Sequence, residues 1–204
     1  MNKAFLYPLL SVRSLCVGVL ALLCISCGSS GPATKYFTLY SVQADAMSEA
    51  PALPSLGIGP VRLPGYLDNS ALVSRSGGAQ LLVSGYNAWA EPLDGAIARV
   101  LSENLAQRLA LDEVWAFPWD TRNRPRWQLQ PSFTQFDGRR GDKITLIMNW
   151  VLIDTQSQEA LKRGKIRIEE SLASDTYEDY VGAMNSALAR SGENLARVLL
   201  SVER

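Results

Sequence analysis

Hydrophobic and polar positions in this chain switch between a period of two and a period near 3.6. Tyr36-Phe-Thr-Leu-Tyr-Ser-Val42 is aromatic and β-branched and predicts a strand. Leu56-Gly-Ile-Gly-Pro-Val-Arg-Leu63 predicts another, at an edge or bulged, because Pro60 cannot donate to a ladder. Ala71–Arg75 and Gln80–Ser84 flank Ser76-Gly-Gly-Ala79 and predict a hairpin. From Pro92 the period lengthens: Leu93, Ile97, Val100, Leu101, Leu105 and Leu109 form one helical stripe, with Glu91 near the positive end. Val114–Pro118 predicts a short strand. The period of two returns in Trp127–Phe136, in the nearly continuous apolar run Ile144–Ile153, and in Gly164–Leu172; a turn is predicted at 137–142. A final helix, capped by Asp175, carries Tyr177, Val181, Met184, Leu188, Leu195, Val198 and Val202, with Gly192 weakening its middle. The pattern predicts a two-layer α+β domain over residues 36–204. A mostly antiparallel sheet of about seven strands is packed by two long amphipathic helices.

The first residues follow different rules. Lys3 and Arg13 are the only charges before residue 35, and Leu15–Leu23 is an uninterrupted apolar stretch. It is too short for a spanning helix, which needs about 20 apolar residues, but it suits the middle of a secretory leader. Leu23-Cys-Ile-Ser26 then meets Cys27-Gly28, which resembles a bacterial lipobox. Ser26 is small enough to precede an acylated cysteine. Cys24 stands where Leu is usual and is a competing site, disfavoured by the bulk of Leu23; an ordinary secretory cut near Gly28 is the other alternative. The expected organisation is a leader over 1–26, a lipidated N-terminus and tether over 27–35, and one periplasmic domain. The seven residues Gly28–Thr34 are rich in Gly and Ser and reach about 25 Å when extended.

Composition narrows the chemistry. The three cysteines, Cys16, Cys24 and Cys27, all lie in the leader or at its edge, so a chain starting at Cys27 holds no disulfide framework. Twenty basic residues balance twenty acidic ones, which argues against nucleic-acid binding. There is no histidine, which excludes Ser-His-Asp and Cys-His relays and His-ligated metals. The acid pairs Asp112-Glu113, Glu169-Glu170 and Glu178-Asp179 are sequence neighbours that point apart. Gly57-x-Gly59 lacks the helix and third glycine of a nucleotide loop, and no Gly-x-Ser-x-Gly elbow or EF-hand spacing is present. The expectation is a protein that is not an enzyme and has no metal or cofactor beyond the N-acyl and S-diacylglycerol lipid on Cys27. A second or third acyl chain makes such anchoring stable, at about 0.8 kcal/mol per buried CH₂.

Two groups remain as binding candidates. Trp115, Phe117, Trp119, Arg122, Arg124, Arg126 and Trp127 gather aromatic and arginine side chains, the types enriched at binding hot spots; the alternative is a strand end followed by a solvated basic loop. Tyr66, Leu67, Tyr86 and Trp89 either line a groove or pack beneath a loop.

Three stretches carry a resemblance: Tyr36-Phe-Thr-Leu39, Val61-Arg-Leu-Pro-Gly-Tyr-Leu-Asp-Asn-Ser-Ala-Leu-Val-Ser-Arg75, and Trp89-Ala-Glu-Pro-Leu-Asp-Gly-Ala-Ile-Ala-Arg-Val-Leu-Ser-Glu-Asn-Leu105. With the lipobox and Gln135-Phe-Asp137, they resemble the PqiC/YmbA family of ABC-type transport auxiliary lipoproteins. The residues that carry the match include Arg62, Tyr66, Leu67, Trp89, Glu91, Pro92 and Leu93. The resemblance implies a lipoprotein that docks a periplasmic MCE-domain (PqiB-like) assembly at the outer membrane, as a ring-shaped homo-oligomer. Such machinery moves phospholipids or other hydrophobic molecules between membranes. Gly28 rather than Asp after the cysteine is in keeping with outer-membrane sorting. A lipid carrier with its own hydrophobic cavity is the alternative function.

Overall fold

The computed structural model describes residues 31–47, 53–120 and 122–202. The leader, Cys27 and residues 28–30 of the tether lie outside them. Among the described residues the chain forms eight strands and two α-helices, and the mixed sheet does not close. The strands are β1 (Lys35–Phe37), β2 (Leu56–Ile58), β3 (Ala71–Gly77), β4 (Gln80–Trp89), β5 (Trp115–Ala116), β6 (Trp127–Arg139), β7 (Lys143–Asp154) and β8 (Glu159–Ser171). The helices are α1 (Leu93–Leu109) and α2 (Tyr177–Leu200).

The frame is the antiparallel meander β6-β7-β8, whose strands run 12–13 residues. The other edge of β6 is divided between two partners. Its first residues pair in parallel with β2, which carries β5 beyond it. Its last residue, Arg139, pairs with Arg75 of β3, and β3 leads outward through β4 to the short β1. The long pairings are antiparallel, as the sequence predicts; the four brief ones are parallel.

Both helices lie against one face. Strand alternation sends Ile144, Leu146, Met148, Trp150 and Leu152 of β7 into that layer, where they meet the buried stripes of α1 and α2. All six stripe residues predicted for α1 are buried. A Cβ on Gly192 would stand 3.1 Å from Asn104 Cβ, so this glycine is where α2 approaches α1 rather than a weakness in the helix.

Three local expectations are corrected. Thr176, not Asp175, caps α2, its hydroxyl accepting from the Asp179 N–H at 3.2 Å. The turn is confined to 140–142, because Asp137-Gly-Arg139 continues β6. The strand predicted over 56–63 stops at Ile58; beyond Pro60 only Arg62 bridges β6, at Ser132.

Candidate interaction surface

The three sequence stretches that carry the resemblance come together as two polar clasps. In the first, Glu91 just before α1 accepts from the Thr38 hydroxyl at 2.7 Å and from Arg99 at 2.6 Å. Arg99 also donates to the Leu39 carbonyl at 3.0 Å. The Thr38 hydroxyl and the Arg99 guanidinium hold the Glu91 carboxyl below the usual carboxylate range. The clasp seats Leu39 in the core. In the second, Arg75 on β3 grips the buried carboxylate of Asp137 on β6 through two bonds of 2.7 and 2.9 Å. Gln135 adds a third donor at 2.9 Å, and Tyr66 stacks on the guanidinium 5.7 Å from its ring centre. Burial and the nearby Asp137 carboxylate push the Tyr66 phenol up to about 12. Leu67, Trp89 and Leu93 are buried and, with Glu91 and Pro92, line a small cleft of about 320 Å³ at the start of α1. Leu67 and Trp89 therefore pack, whereas Tyr86 is exposed.

The aromatic and arginine residues of 115–127 separate. Phe117 and Trp119 meet edge to face at 5.3 Å and fold over the glycines of β2, Phe117 against Gly59 and Trp119 with Pro125 against Gly57. Those glycines are needed: a Cβ at Gly57 would lie 2.4 Å from Pro125 and one at Gly59 2.6 Å from Phe117. Trp115 is half-buried in β5 and Trp127 is buried in the core. Arg122 pairs with Asp120 at 2.8 Å and Arg126 with Asp154 at 2.8 Å. Arg124 is exposed.

Beside the Phe117 shoulder, the sheet face opposite the helices holds a groove of about 610 Å³. Its floor follows from register. Arg62, Ser132, Asn149 and Lys165 align across four strands, and Gln130, Val151 and Arg163 form the adjacent row. Arg62 stands on one side and Arg163 and Lys165 on the other, with Pro60 and Pro131 at the margin. No acidic side chain lines the groove, and these three cations make no ion pair among the described residues. Sequence reasoning singled out Arg62 but missed the rest. The available signal was the alternation Arg163-x-Lys165-x-Arg167, which places three cations on one face of a strand.

Among the described residues no group of acidic or cysteine side chains suits a metal ion. No helix among them is long and apolar enough to cross a membrane.

This is a two-layer α+β domain with an open mixed sheet and an uncovered basic groove. The sequence profile of the ABC-type transport auxiliary lipoprotein component matches residues 37–196, and the chain belongs to that family. The family is one of transport auxiliary lipoproteins, not an enzyme class. One similar solved structure is a protein described only as uncharacterized. It is 21% identical with a TM-score of 0.68, over 82% of this chain and 99% of that one. Another is a Xanthomonas campestris protein of the DUF330 family, 14% identical with a TM-score of 0.69, over 83% and 97% of the two chains. At these identities the likeness is one of fold. No curated protein matches the sequence.

Proposed function

We propose that this chain is the Cys27-acylated, outer-membrane-anchored subunit of a PqiABC-type envelope transport system. Its domain docks a periplasmic MCE-domain protein and supplies interface and anchor but no chemistry. The observation that supports docking most is the groove on the uncovered sheet face, where Arg62, Arg163 and Lys165 stand without acidic partners beside the Phe117 and Trp119 shoulder. Aromatic anchors beside arginines are what protein interfaces concentrate, and the cations favour an acidic stretch on the partner. Trp115, Phe117, Trp119, Arg122, Arg124 and Arg126 border this side of the domain, and a ring of several copies would multiply it. A lipid carrier instead needs a cavity that encloses an acyl chain. The space between sheet and helices is filled by core side chains, and the groove lies on the surface.

Pull-down of the tagged full-length lipoprotein from envelope extracts tests this. The expected result is recovery of an MCE-domain protein, lost in the double charge reversal Arg163→Glu, Lys165→Glu. Recovery undiminished by the reversal moves the interface elsewhere. Isolation of a monomer carrying phospholipid, with no MCE partner, sinks docking in favour of the carrier.

A further inference from the structure

Residues 76–90 contain no charged side chain, and they include an edge strand. Natural sheet edges are usually guarded by charge, proline or cover. β4 pairs with β1 only through Asn87–Trp89, so Gln80–Tyr86 has an open edge. The segment is also apolar on both sides of the hairpin. Leu82 is 42% exposed, Val83 59% and Tyr86 52%, and Tyr36 of the neighbouring β1 is 69% exposed. Tyr86 owes its position to a wide bulge: Ala71 pairs with Ala88 but Val73 pairs with Val83, and Ser84 Oγ accepts from Asn87 Nδ2 at 2.8 Å and Asn87 N at 3.1 Å to hold the loop.

The direction of β1 identifies what covers this surface. β1 runs parallel to β4, with Lys35 beside Asn87 and Phe37 beside Trp89. The N-terminal end of β1 therefore faces the hairpin tip at Gly77–Gln80. From Ala71 to Gly77 the hairpin extends six residues, about 20 Å at strand spacing. The seven residues between Cys27 and Lys35 span about 25 Å at full extension. A domain hung from a bilayer by that tether points its hairpin along the same line and over nearly the same distance.

We propose that the β3–β4 hairpin is a second membrane contact, with Leu82, Val83 and Tyr86 entering the headgroup region of the leaflet that holds Cys27. This rests on acylation at Cys27. Tyrosine suits that depth, since its ring is apolar and its hydroxyl stays wet. The contact fixes the tilt of the domain, which a flexible tether alone leaves free. It also removes an open apolar edge from solution.

Full-length Val83→Cys, expressed and processed in cells, carries a single free thiol once Cys27 is acylated. It is labelled with a polarity-sensitive fluorophore and reconstituted into phosphatidylethanolamine/phosphatidylglycerol vesicles with or without brominated acyl chains. Leu161→Cys in β8, at the far edge of the sheet, is the control, and Tyr86→Cys repeats the test at a second exposed site. The expected result is a blue shift and bromolipid quenching at 83 and 86 but not at 161. Vesicle-bound protein whose probe at 83 stays water-like overturns the inference. So does a blue shift without bromolipid quenching, which means that another copy of the chain or a partner covers the hairpin. Protein that incorporates no palmitate and fails to bind vesicles overturns the acylation reading, and this inference with it.

Discussion

Replacing Tyr180 with phenylalanine isolates one bridge in the sheet. Tyr180 on α2 is 1% exposed. Its hydroxyl accepts from the Gly138 N–H at 3.0 Å and donates to the Val73 carbonyl at 3.0 Å. Those two groups belong to β6 and β3, which share a single paired position, Arg75 with Arg139. The helix thus closes with a side chain a seam that the strands leave unpaired. Burial pushes the Tyr180 phenol well above its ordinary range, so it is the neutral donor that does this. Tyr180→Phe removes one oxygen, keeps the ring in place, and leaves the two backbone groups facing a site with no polar atom. At about 1–3 kcal/mol per buried group left unpaired, less the cost of burying the hydroxyl, the loss is about 2–4 kcal/mol. For a domain of this size each kcal/mol lowers Tm by about 2–4 °C, so the expected fall is roughly 5–15 °C. Urea unfolding followed by tryptophan fluorescence measures it directly. A Phe variant within about 0.5 kcal/mol of the parent refutes the seam argument, because surface-type substitutions already span that range.

Tyr66→Phe tests the neighbouring clasp by pH. The Tyr66 phenol sits at about 12 when folded against about 10 unfolded, so its stabilising effect is complete below pH 10 and lost as pH rises toward 12. The Phe variant flattens that alkaline slope in stability curves taken from pH 9 upward. Glu91→Gln tests the other clasp with the opposite sign. The carboxyl titrates below its unfolded value of about 4.3, so its effect is present above that pH and fades as pH falls further. Because Glu91 is partly exposed, the expected loss at pH 7 is under about 1 kcal/mol, with faster amide exchange at Leu39 and Tyr40 as the readout. Gly164→Ala would place a Cβ 2.6 Å from the Trp150 ring, and the expected cost is about 1–3 kcal/mol, accompanied by a shifted tryptophan emission.

The helical stripes and the long meander were legible because each needs only local periodicity. Leu93 through Leu109 recur at the helical period, and Ile144–Ile153 reads as a strand however its neighbours are arranged. The sharing of β6 between β2 and β3 was not legible, since a three-residue parallel pairing leaves no mark on periodicity. Asp137 was placed in a turn because Asp-Gly signals one; its carboxylate is instead buried, and Arg75, 62 residues upstream, makes that burial tolerable. The groove escaped for the same reason. Arg62, Gln130, Asn149 and Lys165 come from four separate segments, and each alone looks like a solvated position. Tyr180 was passed over because it lies outside the narrow stripe drawn through Tyr177, Val181 and Met184, while the buried face of α2 is wider.

The Thr38–Glu91–Arg99 clasp has a mechanical meaning for a chain held by its N-terminus. Tension between an anchor and a bound partner would enter the domain at Lys35 and load the three parallel residues of β1 in shear. Leu39 in the core and the Glu91 knot behind it are the next to bear that load. Under a steady pull, the strand that ties the domain to its mooring is the part expected to peel first, leaving the meander and both helices intact.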